Sequence, residues 1–165
     1  RRQVLLRLFA AVFKTVTVHP ENETVVRPHL VNVVLSCLRY TTRVTDPAGY
    51  YEVLRQLFRA LGGGKFVESY RELAPLLPLM LGEFSKLHAR ADDPVAKGTL
   101  AELCLMVPAR LSALIPHLTR MMPFMAYALR SQHGQHRELA LRTLEFWVEN
   151  LEHGQLYNTM AKASL

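Results

Sequence analysis

The chain has 165 residues, 50% of them hydrophobic and 21% charged, which supports a folded core and argues against a disordered or low-complexity chain. The net charge of +6 and pI near 9.6 would suit an acidic protein segment, nucleic acid or an anionic membrane, yet the arginines are scattered and no run of five basic residues occurs. The longest apolar run, LAPLLPLMLG, is about half the length of a membrane span and carries two prolines.

Nearly the whole chain reads as helix. Leu5, Leu8, Phe9, Val12, Phe13 and Val16 recur at spacings of three and four and predict a first helix. Val-rich VFKTVTV continues that stripe and is read as helix, not strand. A second helix begins near Pro28 and carries Leu30, Val34, Cys37, Leu38 and Thr41. Leu54, Leu57, Phe58 and Leu61 mark a third. Phe66, Tyr70, Leu73, Leu77, Leu81 and Phe84 mark a fourth. Leu100, Leu103, Cys104 and Val107 mark a fifth, and Leu111, Leu114, Leu118, Met122, Met125 and Leu129 a sixth. Leu141, Leu144, Val148 and Leu151 mark a seventh, and Leu156 with Met160 an eighth. Breaks fall at HPENE, TDPAG, GGG, RADDP, SQHGQ and EHGQ, each rich in helix-stopping residues. Asp46-Pro47 and Asp93-Pro94 read as cap-then-first-turn pairs.

The helices match one another. A shift of 41 residues carries Tyr70, Leu73, Pro75, Leu77, Leu81 and Phe84 onto Leu111, Leu114, Pro116, Leu118, Met122 and Met125. A shift of 46 carries Leu54, Leu57, Phe58 and Leu61 onto Leu100, Leu103, Cys104 and Val107, and the extra five residues fall at GGGKF. A helix pair repeating at this period predicts an all-α, HEAT-like α-solenoid of about four antiparallel helix pairs, because one pair cannot bury both its apolar faces and must stack on the next. The expected organisation is a single segment, 1–165, with approximate repeats 1–45, 46–91, 92–133 and 134–165. Pro75, Pro78, Pro116 and Pro123 lie inside the stripes and predict kinks or short breaks.

Candidate chemistry is sparse. Gly62-Gly63-Gly64-Lys65 fails as a phosphate loop: the position five before Gly64 is Arg59, the residue after the lysine is Phe66, and a helix precedes it instead of a strand. It reads as a helix–helix turn. His133 and His136 have a ligand-like spacing, but no neighbouring carboxylate or Cys completes a set, and they are read as an exposed turn. Cys37 and Cys104 are expected to be buried reduced thiols, which suits an intracellular setting. Ser69, Ser85 and Ser112 belong to no catalytic motif, and Asp92-Asp93 is read as a capping turn. Asn22-Glu23-Thr24 matches a glycosylation sequon, which means little without a secretory signal. Trp147 is assigned to packing between repeats. Tyr50-Tyr51, at a helix start, is a candidate for closing a groove or for the core. Arg39 with Arg43, and Arg55 with Arg59, stand one turn apart and are candidates for attracting an acidic segment. No catalytic, cofactor-binding or metal-binding residue is assigned, and no enzyme activity or cofactor is expected.

Three ordered motifs carry a resemblance: LRQLFRALGGGKFVESYRELAPLLPLMLGEFSKL, then LAELCLMVPARLSALIPHL, then LALRTLEFWVENL. Together they resemble one stretch of the TRRAP family, the large transcription-associated relatives of the phosphatidylinositol-3-kinase-like kinases. The match is clearest from Tyr50 to Leu151, with LYNTM continuing it; HARADDPVAKGT departs most. The resemblance implies a pseudokinase-family scaffold whose bulk is helical repeat. It implies a nuclear setting in SAGA-type histone acetyltransferase complexes, with complex subunits and transcriptional activators as partners. It implies no small-molecule substrate, no membrane and no direct nucleic-acid role. The alternatives are a HEAT-repeat adaptor for transport or phosphatase assembly, or a basic helical nucleic-acid-binding module. The start at Arg1-Arg2-Gln3, with no Met or signal-peptide pattern, reads as a soluble piece of a much longer chain. Its first and last helices are then expected to expose apolar residues such as Leu6, Val12, Trp147 or Leu156.

Overall fold

The computed structural model describes residues 2–163, with side chains through residue 161. Residue 1 and residues 164–165, the outer ends of the first and last expected repeats, lie outside the described residues. Among the described residues all regular structure is helical. The helices are α1 (Arg2–Val16), α2 (Glu23–Val26), α3 (Leu30–Thr41), α4 (Ala48–Gly62), α5 (Val67–Leu73) and α6 (Leu77–Arg90). They continue with α7 (Pro94–Leu105), α8 (Leu111–Leu114), α9 (Leu118–Leu129), α10 (Gly134–Asn150) and α11 (His153–Ala163).

Three of the junctions share one cause. Pro28, Pro75 and Pro116 each sit in the middle of a 3-10 turn: Arg27–His29 between α2 and α3, Ala74–Leu76 between α5 and α6, and Ile115–His117 between α8 and α9. Proline has no N–H for the carbonyl four residues back, so the backbone tightens locally. The amides of Leu30, Leu77 and Leu118 then donate to the carbonyls of Arg27, Ala74 and Ile115. Each of these leucines is buried and starts the longer helix. The bends expected at Pro75 and Pro116 are therefore real, and Pro28 is a third. The second predicted helix, expected from near Pro28, is α3, and a separate short helix, α2, precedes the proline turn. Pro78 falls in the first turn of α6, where a missing N–H costs nothing, and Pro123 lies inside α9 without ending it.

The other stops follow local chemistry. Asp46 accepts from the Ala48 amide at 3.1 Å, and Asp93 accepts from the amides of Val95 and Ala96 at 3.2 and 3.0 Å. At the triple glycine, α4 runs through Gly62, and only Gly64 takes a left-handed conformation, φ 72°. That residue reverses the chain.

The chain divides into two compact units, residues up to Glu83 with Met106–Ala109, and Phe84–Leu105 with the residues from Arg110 on. In the first, α1 packs along α4, and α3 packs on α4 and α5. Phe13, Leu30, Val34, Leu54, Leu57, Phe58, Phe66 and Leu73 fill its core. In the second, α9 is central and meets α7, α10 and α11. Its core holds Leu100, Leu103, Met121, Phe124, Met125 and Trp147.

Candidate docking groove

The first unit carries an open groove of about 430 Å³ between α1 and α3, floored by α4. Leu5 and Phe9 come from α1, Val33, Cys37 and Tyr40 from α3, and Tyr50 and Val53 from the first two turns of α4. The helical period explains this set. On α1 the residues Ala10, Phe13 and Val16 turn into the core, which leaves Leu5, Leu8, Phe9 and Val12 facing out although they belong to the same apolar stripe. Tyr40 stacks on Tyr50, with ring centroids 5.8 Å apart, and together they wall one end. Cys37 lies in the floor, buried, and burial pushes its thiol pKa up to about 12, so it acts as a small apolar side chain and not as a nucleophile.

Arg2 and His29 line the groove; exposed Arg39, near the end of α3, and exposed Arg43, in the turn after it, lie outside the lining. Neither α1 nor α3 contains an Asp or Glu. Apolar walls with Arg2 among them suit an amphipathic ligand that carries acidic groups. The second arginine pair is different: Arg55 is half-buried and binds Glu52 at 2.6 Å, so its charge is neutralised on its own helix.

The remaining candidates resolve into structure. Cys104 is fully buried, and its thiol pKa is raised by desolvation, with Arg120 opposing weakly. Trp147, offered as a residue exposed at the end of the chain, is buried at 1% exposure; Val12 is exposed, and Leu6 and Leu156 are intermediate. The stripe predicted for the seventh helix is divided: Leu151 is buried with Ala140 and Trp147 and Leu144 is intermediate, while Leu141 and Val148 are 55% and 53% exposed. Leu141, Leu144 and Val148 thus form an outer face on α10, edged by Glu145 and Glu149. The reading of His133 and His136 as an exposed turn holds for His133 alone. His136 is tucked against α7, its Nε2 3.7 Å from a carboxylate oxygen of buried Glu102. Sequence distance hid that carboxylate. Among the described residues no group of three His, Cys, Asp or Glu side chains is placed to hold a metal ion.

Residues 1–164 match the family described as the Tra1 HEAT repeat central region. The chain belongs to that family. The SAGA complex/NuA4 acetyltransferase complex subunit Tra1 of Schizosaccharomyces pombe is 40% identical over 92% of the chain. Its Saccharomyces cerevisiae namesake is 38% identical over 90%, and the human transformation/transcription domain-associated protein is 38% identical over 93%. The chain spans 4% of the length of each of these relatives. Membership fixes the fold class as an all-α, HEAT-like solenoid segment, and it confirms the resemblance carried by the GGGKF, LAELCLMVP and LEFWVEN motifs.

Proposed function

We propose that this Tra1-family chain is a non-catalytic scaffold segment of a nuclear transcription coactivator, working in SAGA-type acetyltransferase complexes and contacting activators and complex subunits. Its organisation in this reading is four successive repeats, 1–45, 46–91, 92–133 and 134–165. Its contact site for acidic activator segments is the groove between α1 and α3. The observation that carries this is the combination of apolar walls, Arg2 in the lining, and acid-free α1 and α3, with Arg39 and Arg43 at and just beyond the C-terminal end of α3. An acidic helix would bury aliphatic or aromatic anchors between Phe9 and Tyr40 and set its carboxylates against the arginines.

The test is a fluorescence-anisotropy titration with a synthetic acidic amphipathic peptide. Saturable binding that weakens with salt is expected. Replacing the peptide's anchors by alanine should abolish it, and Arg39→Glu with Arg43→Glu should weaken it on the order of tenfold. No saturation at low salt, or tighter binding of a DNA duplex than of the peptide, would overturn the reading.

A further inference from the structure

We propose that the α1–α3 groove is directional: it seats an amphipathic helix whose acidic groups stand at one end of its apolar face, over Arg2, and Arg2 sets that direction. The inference rests on the reading that the groove takes acidic amphipathic segments. The topology of the first unit orders the lining. A Cβ on Gly49 would lie 2.9 Å from Leu6 and 3.2 Å from Gln3, so the first turn of α4 stands beside the first turns of α1. Tyr40, in the last turn of α3, stacks on Tyr50 in that same first turn of α4. Arg2, Tyr40 and Tyr50 therefore share one end of the groove, and Phe9 and His29 lie toward the other. Among the described lining residues Arg2 is the one permanent charge. The walls beyond it are Leu5, Phe9, Val33, Cys37 and Val53, and the polar exceptions, Asn32 and Ser36, carry no charge. Asp46 stands outside the lining and accepts from the Ala48 amide at 3.1 Å. A carboxylate set over Arg2 is paired as it leaves water. One set between Leu5 and Phe9 would lose its hydration with nothing to replace it. From Arg2 to Phe9 the axis of α1 rises about 10 Å, the span of anchors at i, i+4 and i+7 on a docked helix.

Two synthetic helical peptides of identical composition test this on the 165-residue chain. Both carry leucine anchors at i, i+4 and i+7; one has its glutamates beyond the first anchor, the other between the anchors. Fluorescence anisotropy should show the end-charged peptide binding on the order of tenfold tighter. Arg2→Glu should weaken that peptide about fivefold and strengthen its lysine-ended analogue by a similar factor. Arg2 is exposed, so the substitution touches no core. A nitroxide on the acidic end of the peptide should broaden the methyl signals of Leu5 more than those of Val33, and a nitroxide on the opposite end should do the reverse. Equal affinity for the two peptides, indifference to Arg2→Glu, or a nitroxide with no preferred end would overturn the inference. The two proposals stay apart: saturable binding without direction sinks only this one, whereas no binding of either peptide sinks the groove reading and this inference with it.

Discussion

At Gly98 the second unit is packed too closely for any side chain. A Cβ there would lie 2.6 Å from Cε1 of His136, and that ring is held on its other sides by Glu102 and by Ser131, whose Oγ is 3.4 Å from Nδ1. Two effects compete in Gly98→Ala. Alanine gains about 1 kcal/mol in a helix interior, and the forced displacement of the ring costs about 1–3 kcal/mol. The clash should win, so urea denaturation should show net destabilisation. In a His136→Ala background the same change should become neutral or stabilising by up to about 1 kcal/mol, and equal effects in both backgrounds would contradict the packing described. His88 makes a second test. Its ring lies edge-on to Phe124 and Tyr127, centroids 5.0 Å away in each case, and its Nε2 is buried without a partner. Burial first, and Lys97 second, lower its pKa below the ordinary 6.5. The unfolded chain then takes up the proton before the folded one does. The stabilising contribution is whole above pH 6.5 and is lost as pH falls through the lower folded value. The Tm should therefore drop more between about pH 7.5 and pH 5.5 for the parent chain than for His88→Phe.

The elements are joined by devices of unequal visibility. The proline turns at Pro75 and Pro116 could be read from the sequence because the residues around them match at a constant shift. The short helix before Pro28 escaped because His19, Pro20, Glu21 and Asn22 signal a break nearby, and α2 has only four residues. The start of α5 was legible from the GGG break and Phe66, but its cap was not. Its N-cap position is Phe66, which has no acceptor side chain. The acceptor comes from Glu23, whose Oε1 takes hydrogen bonds from the Ser69 amide at 3.0 Å and the Ser69 hydroxyl at 2.7 Å. No local rule points to a cap 46 residues back in the chain. Ser69 is buried, so removing the acceptor strands a donor. Glu23→Ala should cost about 1–2 kcal/mol in urea denaturation, and Glu23→Gln, which keeps an acceptor oxygen, should cost less. On α10 periodicity misled for a different reason. Leucines and a valine mark one face, alanine and tryptophan the other, and spacing alone does not say which of two apolar faces meets the core. Trp147→Ala should cost about 3–5 kcal/mol, whereas Val148→Ala should change stability little. A larger loss at Val148 than at Trp147 would mean that α10 is turned the other way.

For the molecule as a whole, the helix content and the family were legible, the first from apolar spacings of three and four and the second from three ordered motifs. The groove was legible only in parts. Tyr50 could be named, but nothing in the spacing brings Leu5 and Phe9 opposite Val33 and Tyr40. That placement comes from α1 and α3 both packing on α4. Composition likewise reported a net charge of +6 without showing that α1 and α3 carry no acid at all. In the proposed reading, scaffolding by this chain means presenting such a surface on packed helices. The most direct measurement is a methyl-resolved NMR titration of the 165-residue chain with an acidic amphipathic peptide. The largest shifts should fall on Leu5, Val33 and Val53 around the groove, with Leu100 and Leu103 in the second core unmoved. Shifts centred elsewhere, or none at saturating peptide, would contradict the account.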